Sequence, residues 1–139
     1  MNNFYFQLPT KVYFGKGQIV HLGEEIKKYS DNVLLVYGGG SIKRTGLYDT
    51  IKDLCVQNDI KVYELSGVEP NPRIGTVRKG AALCKEHGIG AVLAVGGGSV
   101  IDCAKVVAAA TKYDGDAWDL VLDSSLIKEA LPIFTVLTI

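Results

Sequence analysis

The sequence has no excess of charge of either sign, because 15 lysines and arginines balance 15 aspartates and glutamates. It also has no basic run, and therefore lacks the electrostatic pattern of proteins that bind nucleic acids or anionic membrane surfaces. No apolar stretch approaches the roughly 18 residues that a membrane-spanning helix needs. We therefore expect neither a nucleic acid nor a membrane among the partners of this protein.

Cysteine is scarce as well. Cys55, Cys84 and Cys103 are odd in number and far apart in the chain, which argues against a disulfide framework and against a zinc knuckle. We expect all three to be reduced, buried thiols. The N-terminus lacks the basic segment and apolar run of a secretory signal, and the sequence therefore predicts a cytoplasmic protein.

What the chain does contain is a regular alternation of apolar runs and amphipathic segments. The apolar runs predict buried strands, and the segments between them repeat their apolar residues at helical spacing. This alternation predicts a single α/β domain, residues 1–139, with a doubly wound, mostly parallel sheet. Residues 1–15 are expected to add two short strands. The expected strands are 33–37, 61–65, 91–95 and 133–139. The expected helices are 18–29, 47–55, one that begins at residue 74 and is terminated by Gly88, and 100–111.

The most informative segment is the one from Ala91 to Ala110, where an apolar strand meets three glycines, Ser99 and a second apolar run. Ser99 is predicted to cap the following helix, with Asp102 at capping-box spacing. The exposed N–H groups of such a helix start suit the pyrophosphate of a nucleotide. The spacing is neither that of a P-loop nor the Rossmann G-x-G-x-x-G, and a plain packing turn remains the alternative.

The same Gly-Gly-Gly-Ser sequence follows the first predicted strand, at residues 38–41. In a parallel sheet both turns lie on the edge formed by the carboxyl ends of the strands. The Pro-Asn-Pro loop belongs on that edge too, where the two prolines keep Asn71 extended and its amide free. Two such turns on one edge indicate a long anionic ligand such as a dinucleotide.

Further segments at residues 9–12, 14–17, 114–116 and 118–119 belong to the same pattern. Together, all of these segments resemble the iron-containing (group III) alcohol dehydrogenases, and within them the butanol dehydrogenases. The resemblance runs from one end of the chain to the other. It is carried by residues 9–12 with 14–17, 36–41, 69–73, 96–99 with Asp102 and Lys105, and 114–116 with 118–119.

The resemblance implies an NAD(P)-dependent enzyme that interconverts primary alcohols and aldehydes, with this chain as its Rossmann-like cofactor domain. Pyrophosphate contacts are then expected at Gly97, Gly98 and Ser99, with Asp102 beside the nicotinamide half, although a plain helix-capping role for Asp102 stays open. Asn71 is expected near the adenosine ribose, and Thr138 at the start of a loop that covers the cofactor. Trp118 is expected to pack under a loop, the alternative being a place at the border of the cofactor cleft.

The turn after the first strand selects the cofactor in this family, where an aspartate at that position favours NAD. Here Gly38 and Gly39 stand instead, and Ser41 with Lys43 or Arg44 offers donors and charge. We therefore expect NADP(H) to be preferred over NAD(H).

The family's metal ligands and helical domain have no counterpart in this sequence, and we therefore expect neither a catalytic residue nor a metal site in it. Iron or zinc is expected only in a full-length enzyme, which we expect to be a homodimer. Ending on an apolar strand also suggests a truncated chain, inactive by itself. The alternatives are a nucleotide-binding fragment, a glycerol-dehydrogenase-like relative, or an interaction protein whose glycine turns serve only packing.

Overall fold

The computed structural model describes residues 11, 13, 15–70 and 73–138. Asn71 and most of the two short strands expected within residues 1–15 therefore lie outside the described residues. The strands are β1 (Asn32–Tyr37), β2 (Lys61–Leu65), β3 (Val92–Gly96) and β4 (Ile133–Leu137). The α-helices are α1 (Leu22–Lys27), α2 (Ser41–Arg44), α3 (Leu47–Gln57), α4 (Ile74–His87), α5 (Gly98–Thr111) and α6 (Ala117–Leu122). Short 3₁₀ helices lie at Gln18–His21 and Ser124–Leu126.

The four described strands form one parallel sheet in the order β2-β1-β3-β4. Val36 of β1 lies between Leu65 of β2 and Ala94 of β3. The chain leaves β1 for β2 on one side and later returns past β1 to β3 on the other. The carboxyl ends of β1 and β3 therefore form the switch point of the sheet, where α/β proteins open a crevice between neighbouring strands.

Helices cover both faces of this sheet, which confirms the predicted doubly wound α/β fold. Each face of the sheet carries its own hydrophobic core, and alternate residues of β1 pack into one or the other. Leu35 packs with Ile26 of α1 and Ile51 of α3. Leu34 packs on the opposite face with residues of α4 and α5. All of these side chains are buried. Because the central strands β1 and β3 are buried on both faces, they form nearly continuous apolar runs rather than alternating.

Several predicted boundaries agree with the structure, and others need correction. Strand β2 occupies residues 61–65 as expected, and α4 ends before Gly88, whose left-handed φ of 61° terminates the helix. The helix expected over 18–29 is instead a 3₁₀ turn followed by the short α1, and Tyr29 lies beyond it, 63% exposed. The final strand ends at Leu137.

The three cysteines are buried and free, as predicted. Burial raises the pKa of each thiol, because an apolar environment disfavours the thiolate. Since the thiolate is the reactive form, these cysteines serve as small core residues.

Candidate functional site at the carboxyl edge of the sheet

The segments that come after the four described strands meet at one edge of the sheet. Tyr37 pairs with Val95 across β1 and β3, so the two glycine turns begin side by side. The segment after β2 is tied to the first turn, because the Gly67 N–H donates to the Gly38 carbonyl at 2.8 Å. The segment after β4 is tied to the second turn, because the Thr138 N–H donates to the Gly96 carbonyl at 3.0 Å.

The turn after β3 consists of one glycine that the fold requires and two that leave space open. Gly96 has φ +153°, and a Cβ on it would lie 2.9 Å from Cγ2 of Val100. Gly97 is extended and precedes α5, which begins at Gly98. A Cβ on Gly97 or Gly98 would meet no heavy atom of the described structure within 4 Å. Open space therefore adjoins the first N–H groups of a 14-residue helix.

Ser99 does not cap α5, contrary to the prediction. The residue at the cap position is Gly97, and no side chain bonds to the helix start there. Ser99 lies in the first turn of the helix instead, where its hydroxyl donates to the Pro70 carbonyl at 2.6 Å. The prediction failed because three consecutive glycines give no local signal for which of them ends the strand. Ser99 therefore fastens the start of α5 to the backbone at Pro70.

Asp102 lies in the second turn of α5, too far along for the predicted capping box. It is exposed, and within the described part of the chain it forms no ion pair with Lys105. Asp102 borders a groove of about 160 Å³ between α4, α5 and α6. Trp118, 44% exposed, lines the same groove.

The turn after β1 has the same sequence as the turn after β3 but a different geometry. A Cβ on Gly38 would lie 3.2 Å from the Val68 carbonyl oxygen, so this glycine permits close backbone contact. Gly39 adjoins open space. Ser41 is exposed and begins α2, which is only four residues long and stops before Gly46, a glycine with φ +81°. This turn therefore leads into a short helix rather than a long one.

Two cations lie beside this first turn. The Lys43 ammonium is 5.0 Å from the centre of the Tyr48 ring and 5.8 Å from that of Tyr37. The Arg44 guanidinium lies against Gly40, with Nη1 3.2 Å from where a Cβ would stand. Both side chains are exposed. The first turn therefore carries positive charge on side chains, which the second turn supplies only through its helix start.

Beneath Lys43 lies a group that we name the tyrosine–glutamate cluster. The hydroxyls of Tyr37 and Tyr48 donate to the two carboxylate oxygens of Glu64, at 2.8 and 2.7 Å. The Lys52 ammonium lies 3.5 Å from the same carboxylate. The cluster consists of Tyr37, Tyr48, Lys52 and Glu64. It joins the end of β1 to β2 and α3.

The contacts of the cluster shift the pKa values of its members. Burial and the hydrogen bond to Glu64 raise the pKa of Tyr37 to about 12. Partial burial acts against ionisation of Glu64, yet the two tyrosine hydroxyls and Lys52 hold the pKa of this carboxyl below its ordinary value. Sequence reasoning missed Glu64 and Tyr48. The signal that the sequence offered was one carboxylate near the end of an alternating strand.

The described residues contain no group of three or more His, Cys, Asp or Glu side chains that could hold a metal ion. The donor set present in this part of the chain therefore does not fit a catalytic metal. Among the same residues, no helix has the length and apolar character needed to cross a membrane.

The parallel, doubly wound sheet with glycine turns at its switch point defines a Rossmann-like α/β domain. The family profile for iron-containing alcohol dehydrogenases matches residues 9–139, and the chain belongs to that family.

Named relatives agree with this assignment. The chain is 58% identical over 139 residues to NADH-dependent butanol dehydrogenase B of Clostridium acetobutylicum, and 42% identical over 142 residues to the NADPH-dependent aldehyde reductase YqhD of Escherichia coli. Each comparison covers 100% of this chain and 36% of the relative. The chain thus spans about a third of the length of the curated relatives that it matches.

Among solved structures, NADH-dependent butanol dehydrogenase A of Thermotoga maritima superposes with a TM-score of 0.90 at 49% identity. The match covers 100% of this chain and 35% of that one. The substrate- and cofactor-free form of E. coli YqhD gives a TM-score of 0.84 at 40% identity, covering 98% and 36%. The fold found here is therefore that of the N-terminal part of these enzymes.

Proposed function

We propose that this chain is the cofactor-binding part, residues 1–139, of an NAD(P)H-dependent, metal-dependent dehydrogenase that interconverts primary alcohols and aldehydes. The observation that carries the proposal is the pair of glycine turns side by side at the switch point, each with open space where a side chain would stand. A dinucleotide is long enough to contact both turns and carries its negative charge between its two halves. Relatives whose names include butanol dehydrogenase and aldehyde reductase support the alcohol and aldehyde substrates.

Gly97, Gly98 and Ser99 are proposed to hold the pyrophosphate. Backbone N–H groups at the start of α5 can approach an anion closely, because Gly97 and Gly98 leave that space empty. The partial positive charge of a long helix start favours the anion further. The cofactor supplies hydride transfer when bound, and this chain's contribution is to hold and orient it.

Gly38, Gly39 and Ser41 are proposed to accept the adenosine ribose. No carboxylate stands on this turn, and Lys43 and Arg44 lie beside it. A phosphate on the ribose would meet charge of opposite sign there, which supports a preference for NADP(H) over NAD(H). The names of the relatives divide on this point, since some are NADH-dependent and others NADPH-dependent.

The remaining roles are proposals of the same kind. Asn71 would contact the cofactor near the adenosine ribose, Asp102 would lie on the nicotinamide side, and Thr138 would begin a covering segment. The metal, iron or zinc, would be held by a helical domain of the full-length enzyme, and this chain alone would be inactive. The proposal also includes a homodimer and a cytoplasmic location. The cytoplasmic location is supported by three buried cysteines that form no disulfide.

Calorimetric titration of the purified chain with NADPH and, separately, with NADH tests the proposal. We expect saturable binding of both, with the lower Kd for NADPH. Tighter binding of NADH would contradict the preference, and no binding of either at millimolar concentration would leave the glycine turns with packing roles only. An assay of butyraldehyde reduction with added iron or zinc then tests activity, which we expect to be absent from the chain alone.

A further inference from the structure

Lys43 and Arg44 are adjacent in sequence but are held in different ways. Arg44 folds back over Gly40 of its own turn. Lys43 instead lies over two aromatic rings that belong to the tyrosine–glutamate cluster, within the range of about 6 Å in which a cation is attracted by a ring face. A long, exposed lysine side chain ordinarily samples many rotamers. The two rings restrict that freedom for Lys43.

The rings are themselves fixed by Glu64. One carboxylate oxygen accepts the hydroxyl of Tyr37, which is 4% exposed at the end of β1, and the other accepts the hydroxyl of Tyr48, in the first turn of α3. Since the hydroxyl of each tyrosine bonds to Glu64 on β2, the orientation of its ring beneath Lys43 is restricted. Glu64 on β2 is thus linked to Lys43 on α2 through two tyrosine side chains.

The cluster also prevents Glu64 from acting as a repulsive charge beside an anion. Its two oxygens are occupied by tyrosine hydroxyls, and Lys52 lies 3.5 Å from one of them. Lys52 stands one helical turn further along α3 than Tyr48, about 6 Å further from the carboxyl edge. The carboxylate is therefore neutralised within the cluster, and Lys43 and Arg44 supply the positive charge beside the turn.

We propose that Tyr48 and Glu64 are positioning residues that hold the Lys43 ammonium beside the first glycine turn. They thereby set the preference of this turn for an adenosine ribose that carries a phosphate. The inference rests on the proposed function, because it assumes that the ribose lies at this turn. The selectivity for the phosphate then depends on the tyrosine–glutamate cluster, whose residues belong to β1, β2 and α3, and not on the glycines alone.

The test compares two small probes, adenosine 2′,5′-bisphosphate and 5′-AMP, which differ only in the 2′-phosphate. The readout is the ratio of their dissociation constants for the full chain, because general damage to the fold changes both constants together. We expect Lys43→Met to reduce the preference for the bisphosphate about tenfold, the size of one charge-assisted contact. Tyr48→Leu, which removes the ring and the hydroxyl, should reduce it severalfold, and Lys43→Arg should restore most of it.

A double-mutant cycle separates a positioning role from an independent one. If Tyr48 acts through Lys43, then Tyr48→Leu changes the ratio in the wild-type chain but has no further effect in the Lys43→Met chain. Glu64→Gln, which keeps one acceptor oxygen, should give a smaller loss that also vanishes in the Lys43→Met background. Lys61→Met is the matched control, because Lys61 lies 5.1 Å from the Tyr63 ring at the other end of β2.

Additive effects of Lys43→Met and Tyr48→Leu would overturn the inference, as would an unchanged ratio in Lys43→Met. Either result leaves the proposed function intact as long as NADPH and NADH still bind. Absence of binding of both dinucleotides and both probes to the folded wild-type chain would instead remove the proposed function, and the inference with it. Retention of a cooperative thermal transition identifies the folded variants, and Tyr48→Phe replaces Tyr48→Leu where the larger change unfolds the chain.

Discussion

The two glycine turns have the same sequence, Gly-Gly-Gly-Ser, and lie side by side, yet they present different contact groups to a ligand. The turn after β1 leads into the four-residue α2 and carries Lys43 and Arg44 beside it. The turn after β3 leads directly into the 14-residue α5, with Gly97 and Gly98 facing open space. The turn after β1 therefore supplies side-chain charge, and the turn after β3 supplies backbone N–H groups and a helix dipole.

The difference arises from the residues that come after each tetrapeptide. After the second turn, Val100 and its apolar successors pack α5 against the sheet for its whole length. After the first turn, Gly46 with φ +81° ends α2 almost at once. A short glycine motif therefore does not define its own function, because the segment on its C-terminal side decides whether a long helix stands behind it.

The largest effect should come from a charge placed at the second turn. Gly98→Asp puts a carboxylate into the open space at the start of α5, where we expect it to weaken NADPH binding about a hundredfold, or ~2.7 kcal/mol. Folding should not suffer, because an acidic residue in a first helical turn is favourable. Calorimetry and a thermal melt measure the two quantities. Ala82→Asp, at an exposed position well along α4, adds the same charge as a control and should leave binding intact. Undiminished binding by Gly98→Asp would contradict the proposed pyrophosphate site.

The next effect separates the glycine required by the fold from its neighbour. Gly96→Ala forces a Cβ to within 2.9 Å of Val100 at a φ of +153°, and should lower the free energy of unfolding by about 2–3 kcal/mol. Gly97→Ala meets open space and should change stability by less than about 0.5 kcal/mol. Urea unfolding of the two variants provides the comparison. Equal losses of unfolding free energy in the two variants would show that Gly96 is not more important to the fold than Gly97.

A smaller effect distinguishes the two serines. Ser99→Ala removes the hydroxyl bonded to Pro70 and should cost about 1 kcal/mol of unfolding free energy. Ser41→Ala should cost almost nothing, because the Ser41 hydroxyl has no hydrogen-bond partner within the described parts of the chain. The same urea experiment measures both. A larger loss for Ser41→Ala would contradict the different roles given to the two serines.

The smallest effect is a pH dependence of stability that arises from Glu64 of the tyrosine–glutamate cluster. The folded-state pKa of Glu64 lies below its ordinary value of 4.5, so the stability that its ionised form contributes is fully present above about pH 4.5. It is lost as the pH falls from there through the folded-state pKa. In Glu64→Gln the free energy of unfolding should fall less steeply below pH 4.5. Parallel slopes for wild type and variant would argue against the hydrogen-bonded carboxylate described here.

The sequence predicted the layers of this fold well, because buried parallel strands and amphipathic helices have distinct patterns. The limits of β2 and the end of α4 at Gly88 were predicted correctly, since alternation and a C-terminal glycine are local signals. The start of α5 was not, because three consecutive glycines give no local signal for which of them ends the strand.

The candidate site could be predicted only in part. Both turns were recognisable from their glycines, and their common edge could be inferred from the parallel topology. The tyrosine–glutamate cluster was not recognisable, because Glu64 meets Tyr48 across 16 residues and Tyr37 across 27. Such contacts depend on how α3 packs on the sheet, which no local pattern encodes.

Both proposals depend on a nicotinamide dinucleotide that binds along the carboxyl edge of the sheet and contacts both turns. A titration of the ¹⁵N-labelled chain with NADPH, followed by amide resonances, tests this binding mode most directly. We predict saturable shifts at Gly39, Gly97, Gly98 and Ser99, with little change at Gly88 and Gly90 near the opposite edge. Shifts confined to that opposite edge, or no shift at millimolar NADPH, would contradict it.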